Sequence, residues 1–81
     1  MIPVGSQVIM MHEEDIDYLE SDYFYLYPTR NDALNMYITD DAIYSQAGEM
    51  GLVIESDPTF IRILLSECLW WSRGSYWQVI S

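Results

Sequence analysis

The chain has 81 residues, 51% of them hydrophobic, and carries thirteen Asp and Glu against three Arg and no Lys, a formal net charge of -10 at pH 7. That length holds one domain, residues 1–81, and an apolar content that includes seven Tyr and three Trp excludes a disordered acidic tail. With no cluster of Lys or Arg to neutralise phosphates, direct nucleic-acid binding and adhesion to anionic lipid are excluded as well.

Cys68 is the single cysteine. It permits no intramolecular disulfide and no Cys-based metal centre, and it suits a reducing compartment. Met1–Gly5 lacks the basic start and apolar run of a signal peptide, and no stretch approaches the ~18 uncharged apolar residues of a membrane span. A cytoplasmic protein without membrane contact is expected.

In chain order, Ser6–Met11 is an apolar run that reads as a first strand, with Val8 and Met10 on one face and Ile9 and Met11 on the other. His12–Asp22 breaks the pattern with six acids. Glu13 and Asp17 are like charges at i,i+4, which disfavours a helical turn and predicts an ordered acidic loop tacked down by Tyr18 or Leu19. Tyr23–Tyr27 reads as an aromatic strand stopped by Pro28, with Phe24 and Leu26 on one face and a ladder of Tyr23, Tyr25 and Tyr27 on the other. Residues 29–33 read as a turn and Asn35–Thr39 as a strand. Asp40 or Asp41 can cap one short helix in residues 41–47, closed by Gly48.

The second half alternates more regularly. Gly51–Glu55 and Phe60–Leu65 read as strands joined by a turn at Ser56-Asp57-Pro58-Thr59. Ser66–Cys68 reads as a reversal, Leu69–Trp71 as a short strand, Ser72–Ser75 as a turn and Tyr76–Ile80 as the last strand. Short strands at this spacing predict a mainly β fold, a small barrel or strongly curled antiparallel sheet. Closure would remove the free edges that invite aggregation.

The run Gly48-Glu49-Met50-Gly51-Leu52-Val53-Ile54-Glu55-Ser56-Asp57, then Phe60–Leu65, Trp70-Trp71 and Val79-Ile80, resembles small SH3-like barrels, including uncharacterised small phage proteins. Val4–Ile9 looks like the opening strand of that pattern, while residues 12–47 are longer and more acidic than it requires. The resemblance implies a binding platform rather than a reaction. The basic groove of its nucleic-acid-binding members is missing here.

No catalytic residue, metal site or cofactor is expected. The acids at Asp15, Asp17, Glu20 and Asp22 do not match the spacing of a calcium loop, and a crowd of like charges gives no reason for a hydrolytic carboxylate pair. His12 has no second ligand at metal spacing. Cys68 sits beside Glu67 in an apolar stretch, where a thiolate is disfavoured and a buried spacer or turn residue is expected.

The acids are segregated. Residues 1–41 carry a net charge of -8 and residues 42–81 only -2. Carboxylates so placed can imitate nucleic-acid phosphates and meet the Arg residues of a basic partner. The leading expectation is therefore a non-enzymatic inhibitor that blocks a basic, nucleic-acid-binding host protein by mimicking DNA or RNA charge. Glu13, Glu14, Asp15, Asp17, Glu20, Asp22, Asp40 and Asp41 would supply charge, and Tyr18, Tyr23 and Tyr25 apolar and hydroxyl contacts. Size, charge and the phage resemblance suggest a viral protein of host takeover, acting in the host cytoplasm. The competing expectation is a structural or assembly module. Adjacent Trp70 and Trp71 must face opposite ways, and an exposed Trp71 or Trp77 would anchor self-association, as a homodimer for instance, unless a second small core lies under residues 28–47.

Overall fold

The computed structural model describes residues 1–81 and contains seven strands and one short helix: β1 (Gln7–Met10), β2 (Tyr25–Leu26), α1 (Arg30–Asn35), β3 (Ile43–Tyr44), β4 (Met50–Ser56), β5 (Phe60–Leu65), β6 (Cys68–Arg73) and β7 (Trp77–Val79). Five strands form one antiparallel sheet in the order β6-β5-β4-β1-β7, and β2 and β3 form a separate two-stranded ribbon. Tyr27 docks the ribbon's chain onto the edge of the large sheet through a single bridge to Trp71.

Alternation decides the two faces. Val8, Met10, Val53, Ile61 and Ile63 point to one side and build the larger core with Ile16, Tyr23, Leu26, Tyr76 and Trp77. Phe60 and Trp71 point to the other side, where Tyr27 and Ala33 cover Phe60 in a second, smaller core. Gly51 is buried because β4 and β5 approach closely there: a Cβ on it would stand 3.1 Å from the Leu64 carbonyl oxygen.

The expected SH3-like barrel, or strongly curled sheet, is not what forms. β6 and β7 are opposite edges of an open sheet and share no ladder, although only Gly74–Tyr76, a 3-10 turn, separates them in sequence. The gap is spanned by a side chain instead, as the Trp77 indole N–H donates to Ser72 Oγ at 2.9 Å. Ile16, Tyr23 and Leu26 from the long connection between β1 and β4 cover the face that carries Val8, Met10 and Val53. Side chains do there what a closing strand pair would do in a barrel.

The short helix lies at Arg30–Asn35, not in residues 41–47. Thr29 Oγ1 accepts the Asp32 backbone N–H, which secures the helix start, and Met36 ends it in the left-handed region at φ 51°. Residues 35–39 form no strand. Ile43–Tyr44, read as helical, pairs with Leu26–Tyr25 as β3. An Ile-Tyr pair favours a pleated surface once a partner strand is at hand, and neither Asp40 nor Asp41 accepts a capping bond; instead Thr39 Oγ1 accepts the Asp41 backbone N–H at 3.3 Å. No helix is long and apolar enough to cross a membrane.

Candidate interaction surface

The acidic segment divides into surface and core. Glu13–Asp15 form one 3-10 turn, and Glu13, Glu14, Asp15, Asp17 and Tyr18 are exposed. The buried anchor of this segment is Ile16, whereas Tyr18 and Leu19, the expected tacks, face solvent. Glu20 is half-buried, and its backbone N–H donates to the Tyr76 hydroxyl at 3.1 Å. Asp40 and Asp41 are exposed on a separate turn.

Asp22 is 3% exposed and belongs to the interior. Its Oδ2 accepts the Tyr27 hydroxyl at 2.7 Å and its Oδ1 the Tyr76 hydroxyl at 3.3 Å. Tyr23 is buried beside it and donates its hydroxyl to the Met11 carbonyl oxygen. Neither residue is available to a partner. Burial raises the Tyr27 phenol far above its ordinary value, reinforced by its bond to Asp22 and by that carboxylate's charge. Burial also pushes the Tyr76 phenol up to about 12. The Tyr23 phenol is raised by burial and then by the charges of Glu13 and Glu14.

The tryptophans are not the exposed aromatics. Trp77 is a core residue, and Trp71 is half-buried against the smaller core under the Arg62 guanidinium, 6.0 Å from its ring. Trp70 packs on the larger core, so the adjacent pair does face two ways. Cys68, expected as a buried spacer or a turn residue, is exposed at the start of β6, directly after the turn at Ser66-Glu67.

Tyr18 and Tyr37 are exposed singly, and an exposed aromatic cluster lies on the β2–β3 ribbon. Tyr44 is 58% exposed, stacks on Phe24 at 5.2 Å between centroids and 12° between planes, and meets Tyr25 edge-on at 5.3 Å. Phe24 in turn touches Tyr23, and Tyr23 touches Tyr76, so the cluster is rooted in the main core. Tyr25 packs on the smaller core beside Trp71. Sequence reasoning missed Tyr44 because its stretch resembled a capped helix. The signal present was the β-branched and aromatic pair Ile43-Tyr44.

Beside this surface, β5 and β6 alternate cations with aromatics. Phe60 faces Arg73 and Arg62 faces Trp71 across the ladder, so four side chains make a checkerboard on one face. Arg30 at the start of α1 and Arg73 lie 5.1 and 5.2 Å from the centre of the Phe60 ring. A register shift in β4 sets Glu55 opposite Arg62, where they pair at 3.4 Å, and Arg30 pairs with Asp57 at 2.8 Å. The Arg30 guanidinium holds the Asp57 carboxyl below the usual carboxylate range, assisted by the Thr59 and Phe60 backbone N–H groups. Every cationic side chain of the protein is therefore on or beside this patch.

Two shallow depressions mark the surface. One, along Gly5, Gln7, Met50 and Leu52, has no titratable side chain. The other has only Asp57, already committed to Arg30. No three His, Cys, Asp or Glu side chains converge as a ligand set. Comparison with protein-family models, curated proteins and solved structures found no match. No relative supports the expected phage, viral, host-takeover or DNA-mimic assignments, and the barrel to which the resemblance pointed is not what forms.

Proposed function

We propose that this chain is a non-catalytic assembly module that self-associates through the aromatic surface of its β2–β3 ribbon. The observation that carries this reading is Tyr44, exposed yet packed between Phe24 and Tyr25. A ring fixed by stacking loses little conformational freedom on docking, and its hydroxyl tolerates solvent in the free protein. Such preordered aromatics are the usual anchors of interfaces. β3 also presents an edge with no strand beside it, which favours a contact that extends the ribbon. A single, exposed, free Cys68 fits action in a reducing, cytoplasmic compartment.

Sedimentation velocity across a wide concentration range tests this. Oligomers that grow with concentration, and that Tyr44→Ala weakens about tenfold without changing the far-UV circular dichroism, are expected. A strict monomer at every concentration overturns it.

A further inference from the structure

An assembly of copies that each carry -10 meets its own repulsion, and the distribution of charge suggests how that is overcome. The chain forms two side-chain ion pairs, Arg30–Asp57 and Arg62–Glu55. Arg73 takes part in neither, its Nε is buried without an acceptor, and its guanidinium stands over Phe60 beside Trp71 and Arg62. At the other extreme, Glu13, Glu14, Asp15 and Asp17 are exposed, adjacent and without any cation of their own chain. Ile16, which lies between Asp15 and Asp17, packs in the larger core on one side of the large sheet. The Arg–aromatic checkerboard occupies the other side. Within one copy, Glu13, Glu14, Asp15 and Asp17 form no ion pair with any of the three arginines.

We propose that the Arg30–Arg62–Arg73 face of one copy receives the Glu13–Asp17 segment of a second copy, head to tail. This rests on the self-association reading and names the partner surface. Guanidinium groups stacked on aromatic rings are held ready for carboxylates, and Arg–carboxylate forks give geometry as well as attraction. Tyr18 and Leu19, exposed beside the acids, would come to lie near the Tyr25 and Tyr44 end of the receiving surface, which Trp71 joins to the arginines. The contact is heterologous, so it propagates into a ring or filament rather than stopping at a symmetric pair.

Complementation decides it. One variant carries Glu13→Gln, Glu14→Gln, Asp15→Asn and Asp17→Asn, changes confined to exposed side chains; the other carries Arg62→Gln and Arg73→Gln. Each alone is expected to self-associate at least about tenfold more weakly than the wild type, and a mixture is expected to form a one-to-one pair because each keeps the half that the other lost. Wild-type association is expected to weaken as salt rises, whereas a purely aromatic contact between acidic copies holds or tightens. If the arginine variant misfolds, the acid variant must still bind wild-type copies and cap their growth. Charge variants that assemble like the wild type, while Tyr44→Ala does not, overturn the pairing and leave the aromatic surface standing. Loss in the charge variants without complementation, or capping, also overturns it. A monomeric wild type overturns both.

Discussion

The Tyr27 hydroxyl donates to Asp22 Oδ2 at 2.7 Å where both residues are almost wholly removed from solvent, at 1% and 3% exposure. Asp22 is one of six acids in a run, yet it ties Tyr27 to the core while Glu13, Glu14, Asp15 and Asp17 face water. A buried carboxylate is tolerable only while its oxygens are satisfied, and two phenols do that.

Tyr27→Phe removes one donor and leaves Asp22 with the longer Tyr76 bond alone. A loss of about 1–3 kcal/mol is expected, read as a lower urea midpoint at unchanged slope. Tyr25→Phe, whose hydroxyl makes no hydrogen bond within the protein, serves as the control and should leave the midpoint in place.

The same phenols set an alkaline limit. Their folded pKa values lie above the ordinary 10.0, Tyr76 at about 12, so the folded state keeps protons that the unfolded chain releases. Stability is therefore fully present below pH 10 and falls as pH rises from there through the folded values. Phenolate absorbance and far-UV circular dichroism should show Tyr27 and Tyr76 ionising together with unfolding. Ionisation of all seven tyrosines in a fully folded protein would contradict the buried cluster.

The β5–β6 hairpin closes through Ser66 and Glu67, both at positive φ, 51° and 70°. Two consecutive left-handed residues match a type I′ turn, which favours Asn-Gly and costs other residues roughly 1–2 kcal/mol each. Replacing Ser66-Glu67 by Asn-Gly is expected to raise stability by about 1 kcal/mol or more, measured as a higher thermal midpoint.

Trp77→Phe removes the indole donor and leaves the Ser72 hydroxyl buried without its partner. The expected cost is about 2–4 kcal/mol, from the lost bond and the smaller ring together. Adding Ser72→Ala should recover part of it, because the stranded hydroxyl is then gone. A double-mutant cycle with no coupling would rule out the indole–hydroxyl bond as a clasp.

The second half of the fold was legible from alternation. Phe60–Leu65 runs as a strand over the residues read, and β4 extends the expected Gly51–Glu55 by one residue at each end, because period-2 patterning with Pro58 between fixes both face and turn. Residues 28–47 were not legible in the same way. Thr29 with Asp32 three residues on is a readable helix start, but Pro28 beside it looked like a turn. Ile43-Tyr44 adopts strand geometry only because β2 supplies partners. Asp22 differs from Asp17 in nothing local; its burial depends on Tyr76, more than fifty residues away. The arginine–aromatic checkerboard is implicit in the spacing of Phe60 with Arg62 and Trp71 with Arg73. Aligning the two pairs needs the hairpin register; Ser66–Cys68 reads as a reversal, but nothing in Ser66-Glu67 signals the two left-handed residues that set it.

The β4–β5–β6 meander is assembled from neighbours in sequence, while β1 meets β4 only after the chain has returned across about forty residues. Closing so long a loop is entropically costly until a template exists to reward it. The meander from Met50 to Arg73 is that template. Folding kinetics should then be set in the C-terminal half, with β1, β7 and the acidic connection condensing onto strands already in register. The most highly charged third of the chain would arrive last, against a surface built without it.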